Sequence, residues 1–353
     1  MTATGPSLTI AGRRVAADAP PYVIAEMSAN HLGDFERAVR ILEAAADAGA
    51  DAVKLQTYTA DTITIDHDGP GFKIEGGLWD GRTLYGLYRE AFTPWDWHEP
   101  LMKRGRELGL DVFSSPFDPS AVAFLDRLDA PAIKIASFEC VDTPLIRLAA
   151  QTGRPLILST GMADLAEISE AVDAARDGGA RDLALLHCVS GYPTPAGDSN
   201  LRTIPNLGEA FQCPVGLSDH TMGVAAATAA VALGACLIEK HFTLARADGG
   251  PDGAFSLEPD ELKRLVENSR TAWEALGRVE YGLKASERGN RGLRRSLYAV
   301  ADIPAGALLD EGNCRSIRPG YGLAPKHLPA VHGMRARVDI PKGTPIRWSL
   351  LDD

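Results

Sequence analysis

Residues 22–57 read YVIAEMSANHLGDFERAVRILEAAADAGADAVKLQT. An apolar segment at 22–25 comes first, an amphipathic segment at 37–48 follows and ends at Gly49, and a second apolar segment occupies 52–55. Neither apolar segment alternates with polar residues, which is typical of a strand that is covered on both faces. A glycine directly after an amphipathic run is a common helix end. The stretch therefore predicts a strand–helix–strand unit of a parallel sheet.

The same pattern continues along the chain. Helical patterns at 121–128, after Asp118-Pro119-Ser120, and at 167–175 alternate with short apolar segments. The further predicted strands lie at 111–113, 132–135, 156–158, 183–186, 215–217 and 236–238. Eight such units over about 220 residues predict an α/β protein with a TIM (β/α)8 barrel, and a doubly wound sheet is the alternative.

The composition is that of a globular protein with an acidic balance. The 353 residues include 47 acidic and 36 basic side chains, which give a formal charge of −11, and 45% are apolar. This composition argues against a disordered chain. The lack of a long basic run argues against nucleic acid as a partner. An anionic substrate would have to be attracted by a few local cations, because the field of the whole chain repels it.

The cysteines and the hydropathy predict a cytoplasmic protein that does not enter a membrane. Five cysteines are widely spaced and form no C-x-x-C pair, which predicts reduced thiols instead of a disulfide scaffold or a zinc ribbon. Residues 1–21 lack a charged start followed by an apolar core, so no signal peptide is expected. Residues 222–238 are apolar, but they are fewer than the roughly 20 that span a bilayer. A buried helix that runs into a strand is predicted there.

The connection between the second and third predicted strands is unusually long. It runs from 57 to 109 and contains an aromatic-rich part at 72–98. Long connections after barrel strands usually build the mouth of the active site, so a substrate-facing loop is predicted. The alternative is an added surface hairpin of helices that covers its own aromatic side chains.

The last part of the chain departs from the barrel pattern. Residues 285–295 are basic and contain glycine, which predicts a linker between a barrel domain at 1–284 and a second domain at 296–353. Short strands at 297–300 and 335–338 are separated by Gly/Pro turns. The second domain is therefore predicted to be small and β-rich.

Each predicted barrel strand ends in polar residues. They are Glu26; Lys54 and Gln56; Ser114 and Ser115; Lys134 and Ser137; Ser159 and Thr160; Ser190 and Tyr192; Ser218, Asp219 and His220; and Lys240 and His241. One such residue alone is more often a cap or a turn residue. Since barrel enzymes carry their chemistry at the carboxyl ends of the strands, the convergence of all eight predicts an enzyme.

These residues suggest two kinds of chemistry. Lys54 and Lys134, with the neighbouring hydroxyl groups, suit a phosphate group, and the alternative is that each lysine pairs with a nearby carboxylate. His220 and His241 follow neighbouring strands and, with a carboxylate such as Glu26, could hold a divalent metal with open positions. The candidate supporting residues for the metal are Asp219 and Asp252.

Eight motifs, in order and at the strand ends, resemble those of the sialic acid synthase family. They are IAEMSANH at 24–31, KLQT at 54–57, SSPF at 114–117, KIAS at 134–137, LSTGM at 158–162, YPTP at 192–195, GLSDHT at 216–221 and EKHFT at 239–243. The tail, with Arg318-Pro319-Gly320, resembles the C-terminal antifreeze-like (SAF) domain of that family. A series of motifs of this length is far more specific than a single short motif.

Three segments are most similar to the pseudaminic branch of the family: 28–31, 77–85 and 249–259. The resemblance implies a metal-dependent condensation, with Mn2+, Co2+ or Mg2+, of phosphoenolpyruvate with an open-chain amino sugar, with release of phosphate. For this branch the sugar is 2,4-diacetamido-2,4,6-trideoxy-L-altrose and the product is pseudaminic acid. Ser190 stands where N-acetylneuraminate synthases carry asparagine, which argues against that product.

The resemblance also implies roles for individual residues. Glu26 is expected to act on water, and His220 and His241 to hold the metal. The residues expected to bind phosphoenolpyruvate are Lys54, Ser115, Lys134, Ser137, Ser159, Ser190 and Ser218. The residues expected to bind the sugar are Gln56, Glu139, Tyr192, Asp252 and Arg318. Arg318 is expected to come from the other subunit of a domain-swapped homodimer.

Three alternatives stay open on the sequence. The first keeps the reaction and changes the sugar to N-acetylmannosamine or a legionaminic acid precursor. The second is a non-catalytic sugar-binding or assembly protein that works through its antifreeze-like domain. The third is an aldolase-type barrel that uses a lysine Schiff base.

Overall fold

The computed structural model describes residues 5–352, and in it eight parallel strands close into a barrel. A hairpin, β1 (Ser7–Ile10) and β2 (Arg13–Ala16), precedes them. The barrel strands are β3 (Tyr22–Glu26), β4 (Ala52–Thr57), β5 (Asp111–Pro116), β6 (Ile133–Ile135), β7 (Leu156–Ser159), β8 (Leu183–Cys188), β9 (Val215–Asp219) and β10 (Leu237–His241). They pair in sequence order, and β10 pairs with β3. The predicted TIM barrel is therefore confirmed, and the doubly wound sheet is excluded.

Ten helices accompany these strands in the described part of the first unit. They are α1 (Phe35–Asp47), α2 (Ala60–Ile63), α3 (Leu84–Ala91), α4 (His98–Leu108), α5 (Pro119–Arg127), α6 (Thr143–Gln151), α7 (Leu165–Asp177), α8 (Thr203–Phe211), α9 (Ala225–Ala232) and α10 (Pro259–Leu276). The predicted helices at 37–48, 121–128 and 167–175 each begin two residues earlier than expected. In each, an aspartate at the N-cap accepts hydrogen bonds from backbone N–H groups of the first turn, which fixes the start.

The strands are buried on both faces, and alternate residues serve two different cores. On β3, Tyr22 and Ile24 point into the barrel, whereas Val23 and Ala25 pack against the surrounding helices. The inner core also contains Leu8, Ile10 and Val15 of the preceding hairpin. This hairpin closes the amino-terminal end of the barrel with apolar side chains, so polar chemistry is left to the carboxyl end.

The long connection between β4 and β5 combines the two predicted alternatives. It contains α2, α3, α4 and an irregular hairpin in which Lys73 pairs with Thr83. Trp97 packs edge-on against Phe35 of α1, so part of the aromatic stretch is indeed covered by the insertion and its neighbours. The Trp79 ring, in contrast, lies at the carboxyl end of the barrel, where its centroid is 5.4 Å from that of the Tyr192 ring.

The apolar segment 222–238 is divided between a helix and a strand, as expected from its length. It supplies α9 and the start of β10, and its central alanines are buried in the outer core. Across residues 5–352, no helix combines the length and the hydropathy that a membrane crossing requires.

The chain divides into two units, Met1–Gly277 and Arg278–Asp353. The second contains β11 (Ser296–Ala299), β12 (Cys314–Ile317), α11 (Leu328–Val331), β13 (Arg335–Ala336) and β14 (Leu351–Asp352). These short elements surround a small apolar core that includes Leu297, Leu309 and Ile346. The predicted linker at 285–295 contains a 3₁₀-helix, Ala285–Leu293. The predicted β-rich domain is thus present, with two antiparallel strand pairs, β11–β12 and β13–β14.

Candidate active site

The alternation of the strands places a ring of polar side chains on the inner face at the carboxyl end of the barrel. They are Glu26, Lys54, Gln56, Ser115, Lys134, Ser159, Ser218, Glu239 and His241. All except Gln56 are buried. Buried charges are rare unless they are paired or serve a function. This concentration marks the barrel mouth as the candidate active site.

Glu239 joins the two predicted phosphate-binding lysines. Its Oε1 lies 3.5 Å from Nζ of Lys54 and 3.7 Å from Nζ of Lys134. Oε1 also accepts a hydrogen bond of 3.1 Å from the Ser218 hydroxyl, while Oε2 is buried without a hydrogen-bond partner among the described residues. The lysines therefore have a carboxylate partner, as the alternative to the phosphate hypothesis proposed. The sequence analysis includes Glu239 in the motif at 239–243 but gives it no role; it precedes His241 by two residues and thus shares its face.

Lys54 also pairs with the predicted catalytic carboxylate. Its Nζ lies 3.0 Å from Oε2 of Glu26 and donates to the Ser115 hydroxyl at 3.2 Å. Burial raises the pKa of Glu26 to about 7, although Lys54 opposes this effect. Burial alone would lower the pKa of Lys54, but Glu239 and Glu26 hold it above its usual value. Lys54 therefore stays charged, whereas Glu26 can exchange a proton near neutral pH.

Three strand-end residues converge beside this charged group. The Ser137 hydroxyl accepts a hydrogen bond of 3.1 Å from the backbone N–H of Gly161. A Cβ at Gly161 would collide with the hydroxyls of both Ser137 and Ser190, so only glycine fits there. The Ser159 hydroxyl is buried and has no hydrogen-bond partner in the described structure. The Ser159 hydroxyl, buried and unpaired within residues 5–352, suits an anion such as phosphate.

His220 and His241 also meet at the mouth, with ring centroids 5.3 Å apart. The Nδ1–H of His220 donates to the Val189 carbonyl at 2.9 Å, so Nε2 is the atom that would bind a metal once it has lost its proton. Burial alone would lower the pKa of His220, but the neighbouring Cys188 holds it above its usual value. Nδ1 of His241 is buried and lacks a hydrogen-bond partner among residues 5–352. Burial, with the charges of His220 and nearby lysines, lowers the pKa of His241 well below its ordinary value, so this ring is neutral.

This donor set fits a divalent metal ion. Neutral imidazole nitrogens are common metal ligands, and an unpaired buried nitrogen needs a partner. In the described part of the chain, no cluster of three or more histidine, cysteine, aspartate or glutamate side chains has the arrangement of a metal site. If a metal ion binds here, His220 and His241 are the side chains that would hold it.

Asp219 and Lys240 shape the segment that carries His220. Nζ of Lys240 points out of the barrel and donates to Oδ2 of Asp219 at 2.7 Å. Oδ1 of Asp219 in turn accepts from the backbone N–H of Thr221 at 2.9 Å. These two residues, which the sequence placed among the strand-end polar groups, thus hold the turn in place and do not enter the mouth.

A chain of hydrogen bonds connects Glu26 with the predicted sugar-binding residues. Nε2 of Gln56 donates to Oε1 of Glu26 and to the Ser28 hydroxyl, each at 2.9 Å. The Ser28 hydroxyl donates to Oδ2 of Asp252 at 2.5 Å, and that oxygen lies 4.0 Å from Nδ1 of His241. Ser28 adopts a positive φ of 44°; it opens the motif at 28–31, but the sequence analysis gives it no role. The chain brings Gln56 and Asp252 to the same part of the mouth as Glu26.

The remaining predicted sugar-binding residues have different surroundings. The Tyr192 ring lies 4.4 Å from the His220 ring. Oε2 of Glu139 is buried without a hydrogen-bond partner in the described chain, and burial raises the pKa of this carboxyl to about 7. Arg318 lies in the second unit, directly after β12.

Comparison with known proteins gives two family matches. The model of the NeuB family matches residues 41–281, and the model of the SAF domain matches residues 294–352. A pseudaminic acid synthase of Campylobacter jejuni subsp. jejuni (strain 81-176) is 44% identical over 94% of this chain and 97% of its own length. An N,N'-diacetyllegionaminic acid synthase of Legionella pneumophila subsp. pneumophila is 35% identical over 94% of each chain.

A solved structure shares the fold. The N-acetylneuraminic acid (sialic acid) synthetase of Leptospira borgpetersenii, crystallised in complex with citrate, superimposes with a TM-score of 0.73 and is 31% identical. The match covers 82% of this chain and 96% of that one. The family resemblance inferred from the strand-end motifs is thereby confirmed.

Proposed function

Because this chain belongs to the NeuB family, we propose that it is a pseudaminic acid synthase. It condenses phosphoenolpyruvate with 2,4-diacetamido-2,4,6-trideoxy-L-altrose and releases phosphate. The choice of sugar rests on the higher identity to a pseudaminic acid synthase, 44%, than to a legionaminic acid synthase, 35%. The observation that carries the chemistry is that polar atoms of Ser159, Glu239 and His241 are buried without partners among residues 5–352, and that Glu239 faces the two inward lysines.

Lys54 and Lys134 hold phosphoenolpyruvate through its phosphate and carboxylate groups. Both ammonium groups are buried, so their attraction for an anion is stronger than it would be in water. From the family resemblance, we propose that neutral donors contact the same anion, namely the hydroxyls of Ser115, Ser137, Ser159, Ser190 and Ser218. Glu239 favours the charged form of both lysines before the substrate arrives, although burial still lowers the pKa of Lys134. Fixing both ends of the substrate orients its nucleophilic carbon toward the aldehyde.

The two histidines bind at the aldehyde end of the sugar. A divalent metal ion held by His220 and His241 would polarise the aldehyde oxygen of the sugar. The Val189 carbonyl fixes the orientation of the His220 ring through its hydrogen bond of 2.9 Å. The Asp219–Lys240 pair holds the turn on which this ring is mounted.

Glu26 acts on the water that completes the reaction. When the carbon–carbon bond forms, the enol ether carbon becomes cationic, and water must add to it before phosphate leaves. The Glu26 carboxylate stabilises this charge and accepts the proton of the water. Its pKa of about 7 suits both the accepting and the later donating of a proton at neutral pH. Gln56 fixes one carboxylate oxygen, so the other remains directed toward Lys54 and the substrate.

The function is tested by phosphate release from phosphoenolpyruvate in the presence of Mn2+. The altrose-derived sugar, N-acetylmannosamine and the legionaminic precursor are offered in parallel, and the products are identified by mass spectrometry. Turnover confined to the altrose-derived sugar is the expected result. Turnover with another sugar would uphold the condensation with phosphoenolpyruvate but refute the assigned sugar. If no sugar supports phosphate release, the proposed synthase activity is refuted.

The SAF domain gives a further prediction. From the family resemblance, we propose a domain-swapped homodimer in which Arg318 of one subunit contacts the sugar bound by the other. Replacing this guanidinium with a methyl group, Arg318→Ala, is expected to raise the apparent KM for the sugar about 10-fold, since a charge-assisted hydrogen bond is lost. The KM for phosphoenolpyruvate should stay unchanged. Unaltered sugar kinetics, or a monomer in sedimentation analysis, would refute the proposal.

A further inference from the structure

Trp79 joins two segments at the mouth of the barrel. It lies near the tip of the irregular hairpin between β4 and β5, where Ile74 and Arg82 are hydrogen-bonded through their backbones. Its indole Nε1–H donates to the Pro251 carbonyl at 2.9 Å. Pro251 belongs to the segment after β10 and directly precedes Asp252, whose carboxylate accepts from Ser28. The insertion is thus tied to a segment that reaches the hydrogen-bond chain of Glu26.

The Trp79 ring also begins a row of aromatic contacts that ends on both histidines. Trp79 lies 5.4 Å from Tyr192, and Tyr192 lies 4.4 Å from His220 and 5.3 Å from Phe255. Phe255 in turn lies 4.8 Å from the His241 ring. We call Trp79, Tyr192 and Phe255 the aromatic wall. Its ring contacts run without a break from the histidines to the hairpin of the insertion; Phe255 is buried within it, whereas Tyr192 and Trp79 are partly exposed.

Trp79, at the outer end of this wall, presents an apolar surface. The polar group of Trp79, its N–H, is already used by the Pro251 carbonyl, and Trp79 remains only half-buried. Its accessible part therefore offers a π surface and no free hydrogen-bond donor. Such a surface accepts a methyl group readily, whereas a hydroxyl placed against it loses its hydrogen bond to water.

We propose that Trp79 is a specificity-determining residue whose indole contacts the methyl end of a 6-deoxy sugar and disfavours a 6-hydroxyl group. This inference rests on the proposed function, which places the sugar aldehyde at His220 and His241. The rest of the open-chain sugar then extends along the aromatic wall, and its sixth carbon reaches the Trp79 end.

The test compares two sugars that differ in one hydroxyl, the 6-deoxy altrose-derived sugar and its 6-hydroxy counterpart. The ratio of their kcat/KM values is measured for the parent, Trp79→Ala and Trp79→Phe, at saturating phosphoenolpyruvate. A hydrophobic pocket discriminates against an added hydroxyl by up to about 10². We expect Trp79→Ala to lower the ratio of kcat/KM for the 6-deoxy sugar to kcat/KM for the 6-hydroxy sugar about 10-fold. Trp79→Phe should retain most of it, because a phenyl face remains.

A matched control lies in the same insertion. Trp95 also donates its indole N–H to a backbone carbonyl, that of Tyr58 at 3.2 Å, but its ring packs on Phe124. Trp95→Phe should leave the sugar ratio at the parent value. The KM for phosphoenolpyruvate and the melting temperature show whether the Trp79 variants keep the barrel intact.

The outcomes separate the inference from the function on which it rests. An unchanged sugar ratio in Trp79→Ala, or an equal loss of activity with both sugars, would overturn the specificity role while the parent's turnover upholds the synthase. If the parent turns over neither sugar, the proposed function fails, and the inference fails with it.

Discussion

Glu26→Gln is expected to lower kcat by about 10²- to 10⁴-fold, the usual contribution of a positioned general base. The amide keeps the size of the side chain and can still bond to Gln56, but it cannot accept a proton. It also removes the negative charge that faces the cationic carbon. The measurement is steady-state phosphate release at saturating concentrations of both substrates.

The control for this variant is Glu170→Gln, which changes an exposed carboxylate on α7. It should retain the parent kcat. If the kcat of Glu26→Gln is within about threefold of the parent value and its melting temperature is unchanged, Glu26 is not the general base, since a general base contributes far more than that.

The pH profile of the parent enzyme gives an independent check on Glu26. Because burial raises its pKa to about 7, the carboxyl is increasingly protonated as the pH falls below 7. A protonated carboxyl cannot act as a base, so kcat/KM should fall tenfold per pH unit on the acidic side. The Glu26→Gln variant should lack this inflection. A parent profile that stays flat from pH 8 to pH 5 would contradict the assignment.

Removal of the metal is expected to abolish activity. Treatment with EDTA should eliminate phosphate release, and added Mn2+, Co2+ or Mg2+ should restore it. His241→Asn should weaken Mn2+ binding by about 100-fold or more, because even the loss of a residue that only supports a metal ligand costs 10- to 100-fold. Equilibrium dialysis measures this affinity without reference to turnover.

His187→Asn is the matched control for the metal site. His187 is also buried and lies in β8, but its Nε2 is hydrogen-bonded to the Ser199 carbonyl at 2.6 Å. This variant should bind Mn2+ as the parent does. Full activity of the parent in a metal-free, EDTA-treated sample would refute the metal hypothesis for His220 and His241.

The strands and the family could be predicted because their signals are local. A covered parallel strand is a short unbroken apolar run, and its end is marked by a polar residue, as at Glu26, Lys54 and His241. The strand-end motifs carried the resemblance for the same reason. The predicted helix starts are two residues late because the aspartate caps and the first helical residues lie outside the amphipathic pattern.

Other features depend on contacts between residues that are far apart in the sequence. Glu239 becomes a site residue only when β10 faces β4 and β6 across the barrel, so that one carboxylate oxygen reaches two lysines. The hydrogen bond from Trp79 to Pro251 joins residues 172 positions apart. The motif at 77–85 distinguishes Trp79 from Trp95 and Trp97, but it does not show which backbone carbonyl or which ring the indole contacts.

The sequence by itself thus determined the barrel, the second domain, the family and most of the residues at the strand ends. Only the tertiary structure decided which of those residues face inward, as Lys54 does, and which support a turn from outside, as Lys240 does. The physical reason is that strand alternation assigns a side chain to one of two faces, but closure of the barrel decides which face is the mouth. Pairing of charges and burial, and with them the pKa of Glu26, follow only from that closure.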